Sequence, residues 1–223
     1  MPSALLCVSF APRDPHYVRI AQEIVLINSD YYADHPACVA ALAEIRVAVA
    51  EVVWPPGANT FTIFPQSGKK SGEGNGVVPI RTSFILALER QGWHKEVLFP
   101  IETDPDGAKF GSMDAAKSFG DEPPFLVEWE TGNISSSHRA LNKMALGLIA
   151  GVVSGAVLVV PTRALARYLT DRIGNLRELM PYLNLWRSLQ VRRGYFGIIA
   201  VEYDATSTDV PRITKGTDGR ALL

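Results

Sequence analysis

The chain has 223 residues, of which 47% are hydrophobic, and its formal net charge at pH 7 is −1. This length suits one domain built around a single core, which we expect to span residues 1–223. Glycines interrupt the longest apolar stretch, residues 144–161, which therefore lacks the ~18 continuous apolar residues of a membrane helix, and the composition excludes a membrane protein.

The two cysteines and the N-terminus indicate the compartment. Cys7 and Cys38 form neither a CxxC motif nor a disulfide framework, and no basic residue precedes the short apolar run near the N-terminus. We therefore expect no signal peptide and a reducing, cytoplasmic location.

Hydrophobic periodicity predicts the elements of the N-terminal half. Apolar residues at helical spacing predict helices over residues 17–28 and 36–53, and the second ends at the Pro-Pro-Gly of 55–57. A short strand over 60–64 precedes a polar, glycine-rich loop over 66–76, and a further helix follows Pro79.

The C-terminal half alternates predicted strands with predicted helices. The strands cover 95–101, 124–130, 156–161 and 195–203, and we expect the last to close the sheet. The helices cover 135–149, a segment from its Thr162 cap to about residue 173, and 175–189. This alternation predicts an α/β fold, with a central mixed β-sheet flanked by helices.

Two carboxylates mark the predicted strand over 124–130. Glu128 and Glu130 share one face of it, roughly 7 Å apart, and would repel each other unless they were solvated or bridged by a cation. With Asp114 they would form a metal-dependent hydrolytic centre, in which a hard cation such as Mg²⁺ binds carboxylate oxygens. An exposed edge strand with paired acids explains the pattern equally well, and a glycosidase pair is a minor alternative without clustered aromatic residues.

Polar residues open the helix that follows this strand. Asn133, Ser135 and Arg139 lie near its predicted N-terminus, with Ser135 and Arg139 on one face. Such side chains can read base edges in DNA, arginine pairing with guanine. Helix capping and a solvated charge would explain each residue singly, but beside an acidic centre we favour base reading.

A basic segment follows. Residues 163–193 contain seven arginines against Asp171 and Glu178, a local charge of +5. This asymmetry suits an anionic partner, although a solvated helix face is the alternative.

The stretch EWETGNISSSHRALNKMALGL, residues 128–148, resembles the active-site strand and following helix of the BamHI-type restriction endonucleases. TFTI, NGVVPI, YLTDRIGNLRELMPY and VPRITKGTDG resemble further segments of that family in the same order. The resemblance covers about residues 54–219 and implies a PD-(D/E)XK nuclease core that works as a homodimer on double-stranded DNA.

The resemblance also implies roles for individual residues. Asp114 and Glu128 would be Mg²⁺ ligands, the Trp129 carbonyl would add a backbone ligand, and Glu89 would lie near the metals. Glu130 would replace the lysine of the wider superfamily and position or deprotonate the attacking water. The matching base-reading positions are Asn133, Ser135, Arg139, Asp171, Arg172 and Asp218.

The function that the resemblance implies is that of a type II restriction endonuclease. Its target would be the palindrome GGATCC, cut to leave 5′-phosphates on four-base 5′ overhangs, and a partner methyltransferase would protect host DNA. Two alternatives are a DNA-binding protein that keeps the fold without cleaving, and a repair nuclease. Four acidic residues speak against the first and the matching base-reading residues against the second.

Two departures from the family pattern lead to expectations. The chain ends at Leu223, where the family continues into a C-terminal helix, so we expect no minor-groove contacts from such a helix. Residues 148–156, which resemble part of the subunit interface, are more apolar than in the family. We therefore expect a dimer held more by apolar burial than by ion pairs.

Overall fold

The structure is a computed structural model that describes residues 19–70, 72–99, 101, 111–130, 132–170 and 172–215. A six-stranded mixed sheet forms its centre, in the order β1-β7-β6-β5-β4-β3. Its strands are β1 (Arg19–Ser29), β3 (His94–Leu98), β4 (Ser112–Lys117), β5 (Phe125–Trp129), β6 (Gly155–Pro161) and β7 (Gly194–Glu202). β5, β6 and β7 run parallel to one another, and the other pairings are antiparallel.

Helices cover both faces of the sheet, which confirms the predicted α/β fold. They are α1 (Pro36–Ala50), α2 (Val78–Arg90), α3 (Ile134–Ile149), α4 (Arg163–Ala166), α5 (Leu176–Leu179) and α6 (Leu183–Arg187). Short 3-10 helices cover Tyr32–Asp34 and Met180–Tyr182, and a small parallel pair joins β2 (Thr62–Ile63) to β8 (Ala205–Thr206). No helix in the described part of the chain is both long and apolar enough to cross a membrane.

The sheet divides the hydrophobic core into two layers. On one side, Ile45 of α1 and Phe84 of α2 pack in the same buried cluster as Val127 and Val157 of the sheet. On the other side, α3, α5 and α6 cover a second cluster, with Met144 and Trp186 among its buried members. β5 therefore lies in the middle of the protein, with a core on each of its faces.

The predicted helix over 17–28 is wrong, because Arg19–Ser29 forms the edge strand β1. It pairs with β7 along its whole length, so β7 does not close the sheet. Bulges between Ile20 and Gln22 and between Val25 and Ile27 break the strand alternation. The resulting spacing of Ile20, Ile24 and Ile27 imitates a helix. Residues 17 and 18 lie outside the described residues.

Other predicted elements are shorter or were missed. α4 begins after the predicted Thr162 cap, whose hydroxyl accepts from the Leu165 N–H at 3.2 Å, but it ends at Ala166. After this point the Gly68 N–H of the glycine-rich loop donates to the Arg167 carbonyl, and the chain leaves the helical path. The predicted helix over 175–189 is divided into α5, a 3-10 turn and α6. β4 was not predicted because its sequence, SMDAAK, has little β propensity and becomes a strand by pairing with β3 and β5.

Candidate active site

β4 and β5 bring Asp114 and Glu128 together. Ala115 pairs with Val127 and Ala116 with Leu126, and the same register places Asp114 opposite Glu128. The Asp114 carboxylate accepts a hydrogen bond from the Trp129 N–H at 2.9 Å, so one of its oxygens is held against the end of β5. Asp114 and Glu128 are fourteen positions apart in the sequence, yet they lie on neighbouring strands in direct register.

The predicted strand alternation around the two glutamates is confirmed. Val127 and Trp129 point into the core layer beside α1 and α2, and Leu126 points into the opposite layer. Glu128 shares the Leu126 side. Glu130 lies just beyond β5, but its N–H donates to the Val159 carbonyl at 2.9 Å and continues the pairing with β6.

Glu128 lies in a partly closed position beside a buried lysine. Its side chain is 22% exposed, and the Lys143 ammonium lies 3.7 Å from its Oε2 atom. Burial raises the pKa of Glu128 to about 7; the Lys143 charge lowers it, and the nearby Asp114 and Glu130 carboxylates raise it. Lys143 also donates to the Ser112 carbonyl at 2.8 Å, so it connects α3 with both β4 and β5.

Glu130 is buried, at 6% exposure, and one of its oxygens is fixed by the backbone. Its Oε1 atom accepts from the Gly132 N–H at 2.5 Å. Burial raises the pKa of this carboxyl, and the Gly132 N–H opposes the rise. A methyl group at Gly132 would displace its neighbours, because a Cβ there would lie 2.9 Å from Glu130 Oε1 and 2.8 Å from Ser136 Oγ.

The two glutamates fit a hard cation. The Oε2 atoms of Glu128 and Glu130 are buried and accept no hydrogen bond, and the one charged partner described for them is the Lys143 ammonium, 3.7 Å from Glu128 Oε2. Two neighbouring buried carboxylates are costly unless positive charge offsets them, and a bound cation would add to the charge that Lys143 supplies. Oxygen ligands of this kind suit Mg²⁺. Within the described ranges, however, no three acidic, histidine or cysteine side chains gather closely enough to form a metal cage by themselves.

Arg81 of α2 lies against Asp114 and was not singled out in the sequence. Its Nε donates to Asp114 Oδ1 at 3.1 Å, and its Nη2 contacts the same oxygen. The hydrogen bond with Asp114 raises the pKa of Arg81, and Glu96 and Glu128 add to the effect through their charge. Arg81 therefore lies within an acidic cluster.

Glu89 and Glu96 line a cavity of about 190 Å³ together with Asp114 and Arg81. Glu89 forms an ion pair with Lys95 at 3.1 Å. Glu96 was missed by the sequence analysis, and it adopts a left-handed backbone with φ of 51° within β3. Such a conformation is unusual for a residue other than glycine and often occurs at functional sites. No local sequence pattern reveals it.

The start of α3 presents the predicted base-reading residues to solvent. Asn133 is the N-cap, and its side chain accepts from the Ser136 N–H at 3.2 Å. Ser135 and Arg139 are exposed. Since Asn133 supplies the cap, capping does not account for Ser135.

Arg172 lies close to this helix start. It is exposed and has a left-handed φ of 67°. Two residues later the Gly174 N–H donates to the Gly132 carbonyl at 2.9 Å, which joins the segment to the turn before α3. Asp171 and Asp218, the other two predicted base readers, lie outside the described residues.

Comparisons with known proteins agree with these features. The family model described as restriction endonuclease BamHI matches residues 18–220. The type II restriction enzyme OkrAI from Oceanobacter kriegii is 42% identical over 92% of this chain and 100% of that protein. The type II restriction enzyme BamHI from Bacillus amyloliquefaciens is 35% identical over 79% of this chain and 80% of that protein.

A solved structure of restriction endonuclease BglII complexed with a DNA 16-mer matches at a TM-score of 0.43 and 12% identity. The match covers 60% of this chain and 64% of that one. The family model spans most of the chain, and both relatives are more than 30% identical over most of their length: the chain belongs to the BamHI family of type II restriction endonucleases.

Proposed function

We propose that this chain is a Mg²⁺-dependent endonuclease that cleaves double-stranded DNA at GGATCC and leaves 5′-phosphates on four-base 5′ overhangs. The observation that carries the proposal is the pair of buried carboxylates Glu128 and Glu130, whose Oε2 atoms accept no hydrogen bond. Glu128 lies opposite Asp114, and Glu130 lies directly before the turn into α3. One strand-to-helix unit thus supplies both acidic groups for hydrolysis and polar groups for base reading.

In this proposal Asp114, Glu128 and the Trp129 carbonyl hold Mg²⁺, with Glu89 and Glu96 lining the adjoining cavity. Bound Mg²⁺ supplies positive charge that offsets the negative charge developing on the phosphate. Asp114 is held for this role by the Trp129 N–H, and Glu128 is held beside Lys143.

Glu130 accepts the proton that the attacking water releases. Its Oε1 atom is fixed by the Gly132 N–H, which leaves the buried Oε2 atom available to a water molecule. Burial raises the pKa of the Glu130 carboxyl, and this makes it a better proton acceptor than an exposed glutamate. In-line attack then releases the 3′-oxygen and leaves a 5′-phosphate.

Base reading is assigned to two neighbouring segments. Asn133, Ser135 and Arg139 project from the start of α3, and Asp171 and Arg172 precede the turn that is tied to Gly132. Asp218 contributes from the C-terminal segment. Arginine pairing with guanine and aspartate accepting from cytosine suit the G·C pairs of GGATCC.

The proposed dimer uses an apolar face beside residues 148–156. Leu146 and Ile149 of α3 are 42% and 50% exposed, and Met180 and Leu185 are 54% and 60% exposed. The two groups lie on adjoining elements, because the His138 ring of α3 lies 4.6 Å from the Tyr182 ring. A second copy of the chain would cover this face. A cytoplasmic location and a partner methyltransferase complete the proposal.

The proposal is tested by mapping the cut ends on a plasmid with one GGATCC sequence. The expected products carry 5′-phosphates on four-base 5′ overhangs within that sequence, as read by run-off sequencing of both strands. Cuts at another sequence would retain the chemistry and reject the assignment of the base-reading residues. Tight, site-specific binding without any cut would instead indicate a DNA-binding protein with the same fold.

A further inference from the structure

A basic cleft of about 460 Å³ adjoins the proposed base-reading surface, with which it shares Arg172. It separates the glycine-rich loop, residues 66–76, from the connection between α4 and α5. The side chains used in the argument below are Ser67, Lys69, Arg163, Arg167, Thr170 and Arg172. None of the acids proposed for catalysis lines this cleft.

Asn75 joins the two walls of the cleft through buried hydrogen bonds. Asn75 is completely buried, and its side-chain amide donates to the Phe64 and Tyr168 carbonyls at 2.9 and 2.8 Å. Its own carbonyl accepts from the Thr170 N–H at 2.8 Å. The loop is therefore fixed against the segment that carries Arg167.

Gly68 brings the loop into direct contact with the same segment. Its N–H donates to the Arg167 carbonyl at 3.1 Å. A Cβ at this position would lie 1.6 Å from the Leu169 carbonyl oxygen, so only glycine permits the approach. Lys69, the next residue, is consequently held at the mouth of the cleft rather than left on a free loop.

Positive charge dominates the cleft. Lys69, Arg163, Arg167 and Arg172 line it, and no acidic side chain does so among the described residues. The charged groups of Lys69, Arg163 and Arg167 make no hydrogen bond or ion pair with the described part of the chain. The cations of Lys69, Arg163 and Arg167 on one concave surface favour an anionic ligand.

The position of the cleft identifies that ligand. Arg172 and Asn175 line its wall on the side that approaches α3, through the hydrogen bond from Gly174 to Gly132. Lys69, Arg163 and Arg167 line the same cleft. A duplex read by α3 and Arg172 would extend over them with its sugar–phosphate backbone, and lysine and arginine contacts to phosphates are the usual way to fix its register.

We propose that the cleft binds backbone phosphates of the duplex just outside the recognition sequence, so that affinity depends on flanking DNA. The inference rests on the proposed function, since it requires that α3 and Arg172 face the DNA. The cleft would supply affinity without sequence information, and it would lengthen the duplex that the enzyme needs.

The test is a double variant, Lys69→Ala/Arg167→Ala, with Ca²⁺ present so that binding is measured without cleavage. Two duplexes are compared: one extends a full helical turn beyond GGATCC on each side, and one ends immediately outside it. We expect the variant to bind the long duplex roughly tenfold more weakly and the short duplex as wild type does. Each lost phosphate contact should reduce the slope of log affinity against log salt by about 0.9.

Lys70→Ala is the matched control. It removes the same charge from the same loop, but Lys70 does not line the cleft, so it should bind both duplexes as wild type does. Lys69→Arg/Arg167→Lys should retain the affinity for the long duplex because it retains both charges.

Either of two results would overturn the inference. If the double variant and wild type bind both duplexes alike, the cleft does not contact DNA, while cleavage by the variant would leave the proposed function intact. If wild type neither binds nor cuts either duplex, both the inference and the proposed function are rejected. Thermal unfolding of each variant verifies that these exposed substitutions leave the fold unchanged.

Discussion

Lys143 joins α3 to the two strands that carry Asp114 and Glu128. It is 5% exposed, donates to the Ser112 carbonyl of β4 and faces Glu128 of β5. A buried ammonium is costly without partners, so its presence indicates that the position of Glu128 depends on it. The residue is therefore a positioning residue for the proposed reaction.

We predict that Lys143→Met destabilises the protein by about 2–4 kcal/mol, because it leaves Glu128 without its counter-charge. Cleavage at saturating DNA should slow at least tenfold, while DNA affinity in Ca²⁺ should change little. Lys143→Arg should recover part of both losses. Urea unfolding and single-turnover cleavage measure these effects, and a Lys143→Met enzyme with wild-type stability and rate would contradict the assigned role.

The raised pKa of Glu128 predicts how stability depends on pH in EDTA. The folded state binds the Glu128 proton up to a pKa of about 7, and the unfolded state releases it near 4.5. Between these values the folded state holds more protons, so the free energy of unfolding contributed by this group falls as pH rises. Below about pH 4.5 the Glu128 carboxyl is protonated in both states and does not lower the free energy of unfolding. Above about pH 7 it is ionised in both states, and the full loss of unfolding free energy remains.

In wild type, ionisation of Glu128 should lower the free energy of unfolding by up to about 3 kcal/mol between pH 5 and pH 7.5, and by less where solvent screens the partly exposed carboxylate. Glu128→Gln should remove this part of the decline. The slope is the quantity to compare, because the variant also removes the partner of Lys143 and so changes stability by a pH-independent amount. Equal slopes for wild type and variant, measured by urea unfolding, would show that Glu128 titrates normally.

At the scale of elements, the turn between β5 and α3 determines the geometry of the proposed site. β5 carries Glu128, the turn fixes Glu130 through the Gly132 N–H, and α3 begins at Ile134 with Asn133 as its cap. The hydrolytic groups and the base-reading groups are thus separated by a single turn. A small displacement of this turn would affect both.

Gly132→Ala should reduce cleavage at least tenfold with little loss of stability, because the new methyl group displaces the Glu130 carboxylate. The double variant Gly132→Ala/Ser136→Ala removes the second collision, that with the Ser136 hydroxyl, and serves as the control. If the double variant regains full activity, the hydroxyl rather than Glu130 transmits the effect. Initial cleavage rates and thermal unfolding distinguish these outcomes.

Sequence reasoning worked where the signal was local. The alternation along β5, the Thr162 cap of α4 and the short apolar strands could all be read from neighbouring residues. The cap of α3 could not, since it is Asn133 rather than the serines to which the sequence analysis assigned capping. The contacts of Arg81 with Asp114 and of Lys143 with Glu128 could not, because each joins segments that only the folded sheet brings together. β1 was misread for a related reason: its bulges altered the side-chain period.

At the scale of the whole molecule, both faces of the sheet carry exposed apolar side chains. α1 and α2 leave Val39, Val47 and Leu86 exposed on one face, and the α3 side leaves Leu146, Ile149, Met180 and Leu185 exposed on the other. Exposed apolar patches often mark an interaction surface. Of the two faces, the α3 side adjoins residues 148–156, so we assign the proposed dimer to that side.

We predict a dimer that persists when NaCl is raised tenfold, because apolar contacts are not screened by salt. Leu185→Glu should shift it to monomer in sedimentation experiments, since it places a charge within the proposed interface. Val39→Glu, on α1 of the opposite face and 52% exposed in wild type, is the control and should remain dimeric. Dissociation of the wild-type dimer at moderate salt would instead indicate ion pairs.

The most direct test of the central claim is plasmid cleavage by wild type and Glu128→Ala in Mg²⁺, in Ca²⁺ and in EDTA. The account predicts linear product with wild type and Mg²⁺ alone, and none with the variant, although the variant still binds GGATCC in a mobility-shift assay. Cleavage by Glu128→Ala at the wild-type rate, or cleavage by wild type in EDTA, would contradict a metal-dependent centre built on these carboxylates.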